Sequence, residues 1–289
     1  MKRYIRNFPE VLRIEPAGAC NLRCIHCPTG TTNMNRGIMS SEIFKKIIND
    51  IQGKKIRVAV LYHGGEPLLN PNLSEMIKQI KKIGVSFVKI VSNGMLLTAE
   101  RSRELIESGL DLIEFSIDGV DANDNNSIRR GANFDTVITN INALIAMKKE
   151  LGCSLPDIVV SSTQFDLEPT VPEFIKEAFQ GEIHVVSAMK WPGLNEKEFQ
   201  VTANGKDCPE NYCDNVNNTI TIRWDGAVVP CCYDLTNMYV MGNILNEKLE
   251  TIWNNQPMLA FRKKIEEGDL PKLCEYCTVL GRGQFLLRK

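Results

Sequence analysis

Short apolar runs alternate with amphipathic stretches along the first two thirds of the chain. The runs predict strands at residues 11–15, 57–61, 87–91, 112–117, 158–162 and 183–187. The stretches between them repeat apolar residues at helical spacing, which predicts helices at residues 41–51, 72–83, 99–108, 134–151 and 171–179. A strand followed by a helix, repeated in this way, indicates a parallel sheet with helices on its outside.

About six such units fall short of the eight that close a full barrel. The fold class is therefore predicted as α/β, a partial (β/α)6 TIM-like barrel. In such barrels the chemistry collects on the loops that follow the carboxyl ends of the strands.

The pattern changes after residue 193. Residues 194–219 are polar and rich in Asn, with little periodicity. Residues 219–224 and 227–229 then flank Asp225-Gly226, which predicts a β-hairpin, and a helix is expected at residues 249–267. We therefore divide the chain into a barrel domain, residues 1–193, and a small C-terminal domain, residues 194–289.

Composition and charge exclude several classes of function. The 289 residues are 43% hydrophobic, and 34 basic residues nearly balance 35 acidic ones, so no bulk charge recruits nucleic acid or an anionic membrane. The N-terminus leads into no long apolar segment, which excludes a signal peptide or membrane span there. Ten cysteines without an export signal favour metal or redox chemistry in a reducing cytoplasm over a disulfide framework.

Three of these cysteines, Cys20, Cys24 and Cys27, lie on one short loop directly after the first predicted strand. Their spacing lets three thiols ligate an iron–sulfur cluster while one iron keeps an open position, where a molecule can bind and be reduced. A zinc knuckle or an incidental cluster of cysteines is the alternative. A closed zinc site needs four ligands, and His26 is too close to Cys27 to complete one easily.

This loop resembles the CxxxCxΦC signature of the radical S-adenosylmethionine (AdoMet) superfamily. The resemblance implies that His26, at the Φ position, lies near the adenine of AdoMet, although a solvated loop histidine is the alternative. Gly64-Gly65-Glu66-Pro67, after the second predicted strand, resembles the GGE motif that holds the methionine amino group of AdoMet. Paired glycines allow close approach of the backbone to a ligand, and Glu66 can accept a hydrogen bond from an ammonium group.

Polar residues at the next strand ends extend the resemblance. Ser92 and Asn93 follow the third strand, and Ser116 and Asp118 follow the fourth. They are suited to ribose hydroxyls or a carboxylate, or alternatively to helix caps and turns. Arg129 resembles the family arginine that can pair with the AdoMet carboxylate, and Arg130 is its rival.

The C-terminal cysteines form a second constellation. Cys213, Gly226, Cys231 and the pair Cys274-x2-Cys277 resemble the SPASM and twitch domains, which carry auxiliary iron–sulfur clusters. No cysteine follows Cys277, so the resemblance implies the shorter twitch form with one cluster on Cys213, Cys231, Cys274 and Cys277. Cys208 is an alternative to Cys213, and a zinc site on the same four thiolates is the alternative to a cluster.

The resemblance implies an enzyme with AdoMet and two [4Fe–4S] clusters as cofactors. A flavodoxin or ferredoxin supplies an electron, AdoMet is cleaved to a 5′-deoxyadenosyl radical, and the radical abstracts a hydrogen atom from a small-molecule substrate. The cysteine spacing resembles that of twitch-type aminocyclitol dehydrogenases, so oxidation of a carbohydrate or aminocyclitol alcohol is the first choice. The candidates for taking the hydroxyl proton are Tyr62, His63, His184, Lys190 and Asp234.

Other functions stay open at this point. A radical epimerase could use Cys232 as hydrogen donor, and SPASM relatives modify ribosomal peptides. Only about ten residues precede the first predicted strand, which disfavours a leader-peptide domain. Molybdopterin-type cyclisation is disfavoured because residues 285–289 lack a glycine tail. An electron-transfer or zinc-binding module is the non-enzymatic alternative, and it leaves residues 64–67 without a purpose.

Overall fold

The computed structural model describes residues 7–194, 197–203, 211–275, 277–280 and 283–289. The strands are β1 (Val11–Ile14), β2 (Val58–Val60), β3 (Phe87–Ser92), β4 (Leu112–Ser116), β5 (Asp157–Gln164), β6 (Glu182–Ser187), β7 (Phe199–Ala203), β8 (Thr219–Ile222), β9 (Ala227–Val229), β10 (Gly242–Asn243) and β11 (Gln284–Arg288). The helices are α1 (Pro28–Thr31), α2 (Ser41–Ile51), α3 (Leu73–Lys82), α4 (Ala99–Glu107), α5 (Ala122–Ile128), α6 (Phe134–Glu150), α7 (Glu173–Ala178), α8 (Asp214–Asn218), α9 (Leu249–Trp253) and α10 (Gln256–Glu266).

A nine-stranded sheet organises the molecule, in the order β10-β9-β8-β1-β2-β3-β4-β5-β6. Strands β1 to β6 are all parallel neighbours in chain order. The helices between them complete the strand–helix repeat. The predicted α/β partial barrel is confirmed, and the carboxyl ends of its strands meet along one rim.

Side chains alternate between the two faces of each strand, and their burial shows which face of the sheet packs against the helices. Leu12 and Ile14 of β1 are fully buried and belong to the main hydrophobic cluster, together with Phe44 and Ile47 of α2. Arg13 lies between the two β1 residues and therefore projects from the other face, toward the inside of the barrel. Burial of each large apolar side chain on the helix side contributes about 1.5–3 kcal/mol, so this face fixes the register of the strands.

The C-terminal hairpin belongs to the barrel sheet. Strand β8 pairs in parallel with β1, from Val11↔Thr219 to Ile14↔Ile222, and β9 pairs antiparallel with β8. The turn between β8 and β9 contains Gly226, whose φ of +83° suits glycine. The predicted hairpin thus extends the barrel sheet and brings the second cysteine constellation beside β1. The sequence of the hairpin does not predict this pairing. The domain boundary at residues 193/194 stays a prediction.

The structure differs from the sequence prediction in two other regions. The single helix expected at residues 249–267 is divided into α9 and α10, because Asn255 caps α10 by accepting a hydrogen bond from the Met258 amide, and Pro257 follows at the helix start. Strands β7 and β11, which were not predicted from the sequence, pair with each other from Phe199↔Arg288 to Ala203↔Gln284. Among the described residues, no helix is long and apolar enough to span a membrane.

Candidate active site

The cysteine loop begins directly after β1 and ends at α1. Cys24 is buried, while Cys20 and Cys27 are partly exposed. The three thiols lie near enough to interact electrostatically, and burial raises the pKa of Cys20 to about 11 and that of Cys24 to about 12. An iron ion must displace these protons, since the thiolate is the form that binds metal.

The loop that carries the Gly-Gly-Glu motif, residues 62–67, packs directly on the chain that leads into the cysteine loop. We call it the AdoMet loop. The Glu66 amide donates to the Ala19 carbonyl over 2.9 Å. A Cβ atom on Gly65 would lie 2.1 Å from the Ala17 carbonyl oxygen, so only glycine permits this approach.

The Glu66 side chain is buried at the junction of three loops. Its Oε1 accepts from the Leu68 amide over 3.1 Å and the Ser92 hydroxyl over 2.8 Å, and its Oε2 accepts from the Asn93 amide over 2.8 Å. Burial raises the pKa of this carboxyl. An ionised carboxylate has about four acceptor sites, so these bonds leave one on Oε2 for an ammonium group.

Asn93 connects this junction to the cysteines. Its side-chain amide donates to Asn21 Oδ1 over 2.8 Å and lies 3.9 Å from Cys20 Sγ. Ser92, the other predicted residue on this loop, is engaged with Glu66 and with the Gly94 amide. The structure therefore brings together the predicted site residues that follow β1, β2 and β3.

Asp118 and Arg129 were expected to face AdoMet, and the structure pairs them with each other. Arg129 Nη1 donates to Asp118 Oδ2 over 2.7 Å, and Asp118 Oδ1 accepts from the Thr163 amide over 2.8 Å. Burial opposes the Arg129 charge, but the nearby Cys24 thiol and Asp118 carboxylate outweigh it and raise the pKa of the guanidinium. Asp118 is thus a buried anchor for Arg129, whose Nε has no protein partner. Arg130 is exposed and pairs with Glu198.

His26 is half-buried beside this pair, with its Nε2 3.7 Å from Asp118 Oδ2. Burial lowers the pKa of the imidazole. Its ring meets Phe165 edge-on at 5.7 Å, and Phe165 stacks on Phe199 at 5.4 Å. Neither Phe165 nor Phe199 was predicted from the sequence, because a contact between segments far apart in the chain leaves no local pattern. Ser116 is half-buried on the inner face at the end of β4.

The structure also brings together the four C-terminal cysteines that were predicted to bind an auxiliary cluster. Cys213, Cys231, Cys274 and Cys277 are all buried and belong to the hydrophobic core. Burial raises the pKa of Cys213 to about 11 and of Cys274 to about 12, and the four thiols interact electrostatically with one another. Amides of Asn215 and Val216, at the start of α8, point at the Cys213 sulfur and favour its thiolate. Cys208 lies outside the described residues.

Cys232 has different surroundings from these four thiols. It is partly exposed and is absent from the hydrophobic core. The Arg13 guanidinium lies close to both Cys231 and Cys232, and it also lies over the Tyr62 ring, 5.0 Å from the ring centroid. Cys232 therefore neighbours the inner face of the barrel.

The remaining candidates for proton transfer have other partners. The buried Asp234 carboxylate accepts from the Met238 and Tyr239 amides, and the His63 side chain is buried between Glu15 and the Cys232 carbonyl. Lys190 lines an apolar cavity of about 210 Å³ with Tyr233. His184 is exposed beside Glu182. Of the predicted candidates, Tyr62 and Cys232 are the two that adjoin Arg13 on the inner face.

Comparisons with known proteins agree with this arrangement. The profile of the radical SAM superfamily matches residues 14–161, and that of the SPASM iron–sulfur cluster-binding domain matches residues 213–278. The chain belongs to the radical SAM superfamily. These two families imply AdoMet and [4Fe–4S] clusters as the cofactors of this radical SAM protein.

Three relatives illustrate the range of similarity to this radical SAM chain. A tungsten-containing aldehyde ferredoxin oxidoreductase cofactor-modifying protein of Pyrococcus furiosus is 28% identical over 320 residues, covering 93% of this chain and 87% of the relative. A GTP 3′,8-cyclase of Lactiplantibacillus plantarum is 33% identical over 306 residues, covering 90% and 86%. The crystal structure of BtrN in complex with AdoMet and 2-DOIA has a TM-score of 0.63 at 21% identity, covering 93% and 90%.

The residues present fit these cofactors. The first thiol set lies beside the unpartnered Arg129 Nε and His26 Nδ1, two buried nitrogens that a bound cofactor can satisfy. Among the described residues, no three His, Cys, Asp or Glu side chains are placed to hold a single metal ion. A cube-shaped cluster separates its cysteine sulfurs more widely than a single ion does, because its own iron and sulfide atoms lie between them.

We expect about eight irons per chain after anaerobic reconstitution, since two four-iron clusters are implied. Replacement of Cys20, Cys24 and Cys27 together by Ala should leave about four irons and abolish AdoMet cleavage, as measured by iron and sulfide analysis. The exposed Cys153 provides the matched control, and Cys153→Ala should keep all the iron. One zinc and no labile sulfide in the triple variant would contradict the auxiliary cluster.

Glu66→Gln should weaken AdoMet binding by about 1.5–3 kcal/mol, the scale of a hydrogen bond to a charged group. Its amide would also meet the donors of Ser92, Leu68 or Asn93. Isothermal calorimetry on the reconstituted protein gives the affinity. Asp111→Asn is the control, because Asp111 is a carboxylate just before β4 that accepts from the Val88 amide. It should leave AdoMet affinity unchanged, and unchanged affinity in Glu66→Gln would show that Glu66 serves only the loop.

Proposed function

We propose that this protein oxidises an alcohol carbon of a hydroxyl-rich small molecule, of the carbohydrate or aminocyclitol class, bound inside the barrel. In this proposal Cys20, Cys24 and Cys27 hold the cluster at which AdoMet is reductively cleaved to a 5′-deoxyadenosyl radical. Cys213, Cys231, Cys274 and Cys277 hold the auxiliary cluster. The observation that carries the proposal is the polar inner face of the barrel, which adjoins both sets of thiols.

Polar side chains line this inner face. Lys89 Nζ lies 2.6 Å from Glu114 Oε2, and the strand alternation places both on the face opposite the helices. Ser116 and Ser161 are register partners and share that face. A lining of charged and hydroxyl groups suits a polar substrate that offers several hydroxyls, and it disfavours an apolar one.

Oxidation of an alcohol to a carbonyl removes two electrons and two protons. One hydrogen atom would leave the carbon and convert the radical to 5′-deoxyadenosine, a cluster held by the four C-terminal thiols would supply an acceptor for the second electron, and the hydroxyl proton needs a base. Tyr62 is the proposed base, because Arg13 contacts it on the inner face beside Cys231. As a phenolate Tyr62 would accept the hydroxyl proton and end as the neutral phenol, with the Arg13 guanidinium beside it as the counter-charge.

The fold is compatible with a small-molecule substrate inside the barrel. BtrN, whose structure contains AdoMet and 2-DOIA, has a similar fold over 93% of this chain. That likeness supports the architecture, and the chemistry of the substrate is our inference from the inner face.

A second candidate is radical cyclisation of a nucleotide. It is favoured by the GTP 3′,8-cyclase of Lactiplantibacillus plantarum, which is 33% identical over 306 residues. Residues 285–289 lack a glycine tail, which disfavours cyclisation, and most of these residues form β11 and pair with β7. Arg13 and Lys89 on the inner face are cations that suit phosphate groups.

Deuterium transfer separates these candidates. The reconstituted enzyme is incubated with AdoMet and a reductant, either with ring-deuterated aminocyclitols and sugars or with GTP deuterated on its ribose. We expect label in 5′-deoxyadenosine from a member of the first group, with a carbonyl product three mass units lighter than the deuterated alcohol supplied. Label from GTP alone would replace the proposal with cyclisation.

The role of Cys232 separates oxidation from epimerisation. In a dehydrogenase the electron leaves through the auxiliary cluster, so Cys232→Ala should retain product formation and no solvent deuterium should enter the reacting carbon. In an epimerase the same variant consumes AdoMet without product, and wild-type turnover in deuterated water labels a redox-unchanged product. Mass spectrometry of the product decides between them, with Cys153→Ala as the matched control.

A further inference from the structure

A buried carboxylate that none of the proposed cofactor contacts uses lies at the end of β1. Glu15 is fully buried, five residues before Cys20. Its Oε1 accepts from the Gly64 amide over 2.8 Å, and its Oε2 accepts from the Trp224 amide over 3.2 Å and from Arg223 Nε over 3.3 Å. One side chain thus joins the AdoMet loop to the β8–β9 hairpin.

The charge on Glu15 is maintained by these partners. Burial by itself would raise the pKa of the carboxyl, but His63, Arg223 and the Trp224 amide outweigh it and lower the pKa to about 2. Arg223 is buried too, with 1% of its side chain exposed. A buried charge that loses one of its partners is strongly destabilised, so Glu15 holds both segments in place together.

The His63 side chain connects Glu15 to the backbone of Cys232. Its Nδ1 lies 3.4 Å from Glu15 Oε1, and its Nε2 lies 3.2 Å from the carbonyl oxygen of Cys232. The imidazole of this AdoMet-loop residue is therefore placed between Glu15 and the residue that follows the proposed ligand Cys231.

Arg223 reaches the same region from its other end. Its Nη1 donates to the Leu235 carbonyl over 3.3 Å and to Asn237 Oδ1 over 2.5 Å. Residues 231–237, which we call the auxiliary loop, are thus connected to Glu15 through both His63 and Arg223.

We propose that Glu15 and His63 are positioning residues that couple the AdoMet loop to the auxiliary loop, so that AdoMet binding also orders the residues around Cys231 and Cys232. Neither residue touches AdoMet in this proposal. The coupling acts through Gly64 and the Cys232 carbonyl, and it does not depend on which substrate the enzyme takes. Because coupling free energies are reciprocal, a disturbed auxiliary loop also weakens AdoMet binding.

Amide hydrogen exchange on the anaerobically reconstituted holoenzyme, with and without saturating AdoMet, tests this coupling. In the wild type we expect AdoMet to slow exchange about fivefold or more in peptides covering residues 62–66 and also in those covering 222–237. In Glu15→Gln, AdoMet should still slow exchange in residues 62–66, while protection of residues 222–237 is lost. AdoMet affinity should fall by about the same factor as the lost protection.

Two further variants keep the test decisive if Glu15→Gln does not fold. His63→Leu leaves the Glu15 contacts with Gly64, Trp224 and Arg223 intact, so AdoMet should still protect Trp224 and residues 235–237 but no longer residues 232–234. Asp234→Asn is the matched control, because Asp234 is a buried carboxylate of the auxiliary loop that bonds only to the Met238 and Tyr239 amides among the contacts described. It should speed exchange in its own loop and retain the AdoMet-dependent protection at Trp224.

Iron content and cluster absorbance are measured for every variant, so a lost cluster is distinguished from lost coupling. Protection that stays confined to residues 62–66 in the wild type would overturn the proposal. Undiminished protection of residues 222–237 in both Glu15→Gln and His63→Leu would overturn it as well.

Discussion

Buried carboxylates at the carboxyl ends of parallel strands are the constraint on which the site depends. Glu15 follows β1, Glu66 lies on the loop after β2, and Asp118 follows β4, and each is at most 2% exposed. A carboxylate removed from water must receive hydrogen bonds from elsewhere in the protein. Here the donors come from separate segments of the chain, both strand ends and loops, so satisfying each charge also fixes the relative positions of those segments.

The need to pair each buried charge explains why Asp118 and Arg129, both predicted to contact AdoMet, bind each other in the structure. A sequence shows that Asp118 and Arg129 lie near a strand end and a helix end, but it does not show that they are 2.7 Å apart. The pair leaves Arg129 Nε and His26 Nδ1 as the open polar atoms in that part of the site. Pre-paired charges of this kind hold a binding site in shape before the ligand arrives, which reduces the entropy lost on binding.

Local sequence signals were sufficient for the barrel and for its cysteine loop. Helical and strand periodicity predicted β1 to β6, and the motif after β1 lies where a strand end requires it. The pairing of β8 with β1 and of β7 with β11 was not predictable in this way, since each joins segments far apart in the chain with no local signature. Phe165 and Phe199 were missed for the same reason, because aromatic contact across distant segments leaves no spacing pattern.

The two thiol sets differ in how the chain brings them together. Cys20, Cys24 and Cys27 share one loop of eight residues, whereas Cys213, Cys231, Cys274 and Cys277 come from the start of α8, the end of β9 and a turn near the C-terminus. Closing such distant segments costs more chain entropy, so the second set requires a scaffold that is already folded. Strand β8 supplies it by pairing with β1, and Glu15 extends that pairing into the AdoMet loop. The position of the auxiliary site relative to AdoMet is therefore determined by the same strand that begins the cysteine loop.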